Sequence, residues 1–170
     1  MEHQMGTIAR SGGQSTITHT RVIKTTPEDL WDAITNPERA ARWLGALSVD
    51  LVKGGHYELV FDASDPDSRV EGIVLSCTPP RQLVATWSAP EESASRVSVT
   101  LSPCDDGTLL ELVHAGLQPP ASDTGHAAGW HIHLDQLMAG VERNQWQDLW
   151  GSFDQVHDAY VLRYTSLQDQ

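Results

Sequence analysis

A change of hydrophobic period constrains this chain more than any other feature. Between residues 46 and 116 apolar and polar residues alternate in six short runs, LSVDLV, HYELVF, VEGIVLSC, QLVATW, SRVSVTLS and TLLELVHA. A period of two belongs to strands that bury one face. The runs are separated by KGG, DASDPDS, TPPR, SAPEESA and PCDDG, connections that favour antiparallel hairpins over crossovers. Asp106-Gly107 is the best turn signal and Gly54-Gly55 the next. A β-branched stretch at about residues 15–24 adds one more strand. The expectation is a curved antiparallel sheet of about seven strands, in an α+β fold.

Outside this block the period is helical. In TTPEDLWDAIT, Thr26 can cap and Pro27 fits the first helical position, with Glu28 and Asp29 at the positive end of the dipole. NPERAARWLG repeats the pattern with Asn36, Pro37 and a closing Gly45. Two short helices are expected there. Trp130, Leu134, Leu137, Met138 and Val141 form one apolar stripe on a long helix over about residues 123–142. Leu149, Phe153, Val156, Tyr160 and Tyr164 form a second stripe over about residues 148–166. That last helix is expected to pack back as a cap or to meet a second copy in a homodimer. Residues 1–14, polar and Gly-rich, read as a flexible N-terminal arm; 15–142 read as the domain and 143–170 as a C-terminal amphipathic extension.

Eleven Lys and Arg stand against 23 Asp and Glu, a net charge of -12, which repels nucleic acid and anionic membrane surfaces. No basic segment precedes an apolar run, and no 18 apolar residues run together, so a soluble, cytoplasmic protein without membrane insertion is expected. Cys77 and Cys104 lack metal-ligand spacing and read as reduced thiols.

Eight histidines invite a search for a metal. In GWHIHLDQL, His131 and His133 are two residues apart and point about 200° apart on a helix, so they cannot share an ion. His126 and His133 share a face, yet lie about 10 Å apart along the axis. No metal and no obligatory cofactor are expected. In TLLELVHA, alternation places Leu110, Leu112 and His114 on the inward face. There His114 either makes a hydrogen bond in the core or contacts a ligand, as a base with a lowered pKa. His133 could approach it from the long helix. Carboxylate pairs such as Glu91 and Glu92 sit in hairpin loops, where solvation makes them poor general acids. No nucleophile signature such as GxSxG is present, so no catalytic residue is assigned. The aromatics are more suggestive. Tyr57, Leu59 and Phe61 share a strand face, as do Leu83, Ala85 and Trp87; Trp43 ends the second short helix, and Trp130 heads the long stripe. They line either a pocket or a filled core.

TTPEDLWDAITNPERAARWLG, the GG before the third strand, VEGIVLSCTPPRQLVATW, GTLLELVHAGL and GWHIHLDQLMAGV together resemble the homologues of the activator of the ninety-kilodalton heat-shock protein's ATPase. These belong to the START-like, birch-pollen-allergen-type (SRPBCC) superfamily. The resemblance runs from about residue 15 to 142 and implies a helix-grip fold, a curved sheet wrapped around the long C-terminal helix with a hydrophobic cavity between them. It implies binding of a small hydrophobic molecule there. On this expectation Trp43, Tyr57, Phe61, Trp87, Leu112, His114, Trp130, His133, Leu134 and Leu137 are the ligand-binding residues. A cyclase- or hydrolase-type enzyme using His114 or His133 is the second expectation. A domain that regulates a chaperone or another partner is the third.

Overall fold

The structure is a computed structural model, and residues 4–165 are described. Eight strands form one antiparallel sheet in the order β1-β2-β8-β7-β6-β5-β4-β3. They are β1 (Thr7–Ser11), β2 (Gln14–Ile23), β3 (Ala46–Val49), β4 (His56–Val60), β5 (Arg69–Thr78), β6 (Gln82–Trp87), β7 (Ser95–Cys104) and β8 (Gly107–Leu117). Helices α1 (Pro27–Thr35) and α2 (Pro37–Ala40) follow β2, and α3 (Asp123–Arg143) lies across the sheet. This is the α+β helix-grip architecture, with one strand more than the alternation implied.

The extra strand corrects the flexible arm expected at residues 1–14. Gly12 and Gly13 take φ of 60 and 75, the pair of positive values that a two-residue hairpin turn requires. That turn folds β1 onto β2 from Thr7↔Thr18 to Ser11↔Gln14. Only Ile8 of the five strand residues is buried, so the run is too polar to show as a strand by alternation. It is held from outside its own sequence: Arg10 donates through Nε and Nη2 to the two carboxylate oxygens of Asp123 at 2.7 and 3.1 Å.

The helix starts follow their local chemistry. Thr26 accepts a bond from the Asp29 N–H at 3.2 Å, and Asn36 from the Glu38 N–H at 3.0 Å, each ahead of a proline in the first turn. Ser122 caps α3 through the Gly125 N–H, and Asn144 ends it in the left-handed region at φ 51. The β7–β8 hairpin places Cys104 opposite Gly107, so Asp105 and Asp106 form the turn and Gly107 is its first paired residue.

The apolar faces meet in two clusters. The larger joins Leu110, Leu112, Trp43, Trp87 and Trp130 with Leu134 and Leu137 between sheet and α3. The smaller joins Ile8, Ile17 and Leu117 to Ala127, Ala128, Tyr160 and Tyr164. Tyr160 and Tyr164 belong to α4 (Phe153–Thr165), which a short 3-10 turn, Trp150–Ser152, precedes. The C-terminal stripe thus packs back onto α3 and the β1–β2 hairpin of its own chain; residue 166, where that helix was expected to end, lies outside the described residues.

Candidate functional site

The sheet and α3 enclose a small apolar cavity of about 100 Å³, and a wider groove of about 780 Å³ opens beside it. Trp43, Tyr57, Leu112 and Leu134 face the cavity. Phe61 and His133 face the groove. Trp87, Trp130 and Leu44 line both, so the two spaces adjoin at these side chains. Such a groove is within the size range of small-molecule sites, whereas the cavity alone admits only a short apolar end. Of the two alternatives, a pocket or a filled core, the aromatic faces form some of each: a small cavity in a largely filled core, next to an open aromatic trough.

His114 and Leu137 line neither space. Leu137 is fully buried in the core between sheet and helix. His114 is fully buried as well, and both its nitrogens are engaged. The Trp130 Nε1–H donates to His114 Nδ1 at 3.1 Å. An indole can only donate, so Nδ1 carries no proton. Burial, reinforced by the nearby His126, pushes the His114 pKa down to about 3, so the ring is neutral and its proton is on Nε2. Nε2–H then donates to Ser95 Oγ at 2.7 Å, and the Ser95 hydroxyl turns to the Trp87 carbonyl at 3.5 Å. The serine receives a proton from the histidine and gives none to it, the reverse of what nucleophile activation needs.

His133 does not reach His114. Its Nδ1–H donates to the Trp43 carbonyl at 2.9 Å, and Gln136 Nε2 donates to the same oxygen at 2.9 Å. Trp43 was expected to end the second short helix, but α2 stops at Ala40, and these bonds tie the turn that follows it to α3. The ring packs against Trp150 and Phe61, with centroids 4.9 and 5.6 Å apart. Burial holds its pKa at about 4, against the partial support of the Trp43 bond. It is thus a neutral imidazole on the groove wall whose Nε2 is left as an acceptor.

Trp87 differs from the other buried tryptophans. The Trp43 Nε1–H donates to the Ala33 carbonyl at 2.9 Å, and that of Trp130 to His114. Trp87 is 7% exposed, and its Nε1–H has no acceptor among the described residues. A buried donor left so costs about 1–3 kcal/mol.

Tyr57 crosses β5 at Gly72, where a Cβ would meet the Tyr57 ring at 2.7 Å, and its hydroxyl donates to the Thr86 carbonyl at 2.6 Å. Burial raises the Tyr57 pKa, which keeps the phenol a donor. Phe61 lies one residue beyond β4 and is 38% exposed, so it flanks the groove mouth instead of joining the buried face of Tyr57 and Leu59. Glu92 is not the solvated loop acid that its position implied. It lies in the loop between β6 and β7, next to Glu91 at φ 63, and both of its oxygens are 3.2 Å from His126 Nε2 on α3. Alternation along β7 could have flagged Ser95, the cross-strand partner of Trp87; no local pattern pairs Glu92 with His126 or brings Trp150 to the groove. Among the described residues no three His, Cys, Asp or Glu side chains converge as metal ligands. His131 faces away from the groove, with Nδ1 3.0 Å from the Tyr160 hydroxyl and Nε2 3.2 Å from Asp135.

The same architecture recurs among solved structures. The crystal structure of CalU16 from Micromonospora echinospora is 26% identical over 94% of this chain and 98% of its own, with a TM-score of 0.69. A conserved protein of unknown function, EF2215 from Enterococcus faecalis, superposes with a TM-score of 0.79 at 19% identity, over 95% of this chain and 91% of that one. The Aha1 dimer from Colwellia psychrerythraea, at 17% identity and a TM-score of 0.65, covers 76% of this chain and 98% of that one. No curated protein sequence matches. No helix among the described residues is long and apolar enough to cross a membrane. The family profile described as Activator of Hsp90 ATPase homolog 1-like protein matches residues 24–142, which hold α1, α2, six of the eight strands (β3 to β8) and nearly all of α3, and the chain belongs to that family.

Proposed function

We propose that the protein binds a small hydrophobic molecule, with a short apolar end in the cavity between sheet and α3 and the larger body in the groove. The shared lining of Trp87, Trp130 and Leu44 carries this reading, because the two spaces adjoin at these three side chains. Aromatic walls supply most of the contact area, and few polar groups are needed to orient a ligand. Native mass spectrometry of the purified protein tests it directly, together with a tryptophan-fluorescence titration using long-chain lipids and aromatic ketones. The expected result is a co-purified apolar mass or a saturable change in fluorescence. No such mass and no response across the panel would overturn it. A homodimer is part of the proposal, supported by the relative solved as a dimer, and sedimentation of the purified protein tests it.

The free acceptor of His133 on the groove wall supports a second reading, a cyclase- or hydrolase-type enzyme with His133 as base. Its lowered pKa makes it a weak base. Turnover of an ester or activated-ketone panel that is lost in His133→Gln supports that role, and turnover that survives the change excludes it.

A further inference from the structure

The bonding of the three buried tryptophans narrows the ligand. Trp43 and Trp130 each spend their indole N–H inside the chain, on the Ala33 carbonyl and on His114 Nδ1. Trp87, which lines both cavity and groove, has no acceptor for its own among the described residues. The polar groups around it are already engaged. His114, whose ring centroid is 5.2 Å from that of Trp87, uses both nitrogens, on Ser95 and Trp130. Trp130 stands 5.3 Å away as a donor only. Phe61, at 6.3 Å, offers no acceptor atom.

We propose that Trp87 Nε1 is the polar anchor of the site and selects ligands that carry a neutral acceptor oxygen, a ketone or ester carbonyl, where the apolar end joins the body. This rests on the ligand-binding reading above. A carboxylate would serve the indole equally, but Asp62, Asp67 and Glu92 outnumber Arg69 among the charged groups lining the groove, in a chain of net charge -12. A neutral carbonyl meets the donor without that repulsion. The selection is one of chemistry rather than size, because a site with a buried donor penalises an otherwise equal ligand that leaves the donor unmet.

The test compares 2-acetylnaphthalene with 2-isopropylnaphthalene, near-isosteres that differ by a carbonyl oxygen. Calorimetric titration should show the ketone bound about tenfold more tightly than the hydrocarbon. In proton–nitrogen correlation spectra, one of the six tryptophan indole N–H signals should move downfield with the ketone and stay with the hydrocarbon. Trp87→Phe should remove that signal and equalise the two affinities. The wild-type comparison stands even where Trp87→Phe fails to fold. Equal binding of both probes by the wild type, or a preference that persists in a folded Trp87→Phe, overturns the anchor while leaving the site intact. Failure of both probes to bind, with no response to the wider panel, overturns the ligand-binding reading itself.

Discussion

Acid should destabilise this protein well above the range in which its carboxylates titrate. Three buried histidines are held neutral: His19 and His114 at a pKa of about 3 and His133 at about 4, from an ordinary 6.5. Desolvation is the main cause in each. Arg21 and His131 add to it at His19, against the bond to the Ala127 carbonyl and the charge of Asp135; His126 adds to it at His114; the Trp43 bond works against it at His133. A base whose folded pKa lies below its unfolded one binds fewer protons when folded. Its contribution is therefore complete above about pH 6.5 and is lost as pH falls towards 3–4. Between about pH 7.5 and pH 5.5 each of the three forfeits roughly one pKa unit, or about 4 kcal/mol together, a large share of a typical domain's stability. Asp29 and Asp123, held below the usual carboxylate range chiefly by bonds from Thr25 and Arg10, lose their contribution only at lower pH. Protonation also relieves the repulsion of a net charge of -12, which works in the opposite direction, so the sign of the slope is informative. Urea unfolding followed by tryptophan fluorescence should show the loss, with a slope that steepens from a fraction of a proton taken up on unfolding at pH 7.5 to almost three at pH 5.5, about 1.5 on average. His114→Gln should remove about a third of that slope. A stability that is flat or rises between pH 7.5 and 5.5 would refute neutral burial of these rings.

Two further changes probe the packing. Tyr160→Phe removes the hydroxyl that accepts from the Gly6 N–H at 2.7 Å and meets His131 Nδ1 at 3.0 Å; it should cost about 2–3 kcal/mol in chemical denaturation, and a cost below about 0.5 kcal/mol would show that the N-terminal segment is not clamped there. Gly140→Ala sets two effects against each other. Alanine favours the helix by about 1 kcal/mol, yet its Cβ would meet the Trp146 ring, and overpacking costs about 1–3 kcal/mol. A net loss of about 1 kcal/mol with a red-shifted fluorescence is expected, because Trp146 must leave its seat under Arg42; a gain in stability would show that the ring does not sit on α3.

Much of the architecture was legible because its signals are local. The inward set of β8, Leu110, Leu112 and His114, follows from alternation and is buried as expected. The caps at Thr26 and Asn36 follow from side-chain chemistry within three residues. The two-residue spacing of His131 and His133 sends one to Tyr160 and the other to Trp43. The first strand was not legible, since a five-residue run with one buried side chain has no alternation to read and is held by Asp123, more than a hundred residues away. Phe61 does turn towards Trp87 and His133, but because β4 ends at Val60 it lies at the rim of the groove and is less buried than Tyr57 and Leu59.

The sequence by itself determined the two short helices, the long helix, the strands from β2 to β8 and which of their faces turn inward, because periodicity and capping act within a turn or a strand pair. Only the tertiary structure decided how much of the enclosed space the side chains fill. It also decided which polar groups inside find partners. Those outcomes depend on sheet curvature, on register across β6, β7 and β8, and on summed side-chain volume between sheet and α3, where a shift of one side chain closes or opens a space. The residues that left a pocket and a filled core open as alternatives thus leave a cavity of about 100 Å³, an open groove beside it, and, on Trp87, which lines both, a buried indole N–H without an acceptor among the described residues.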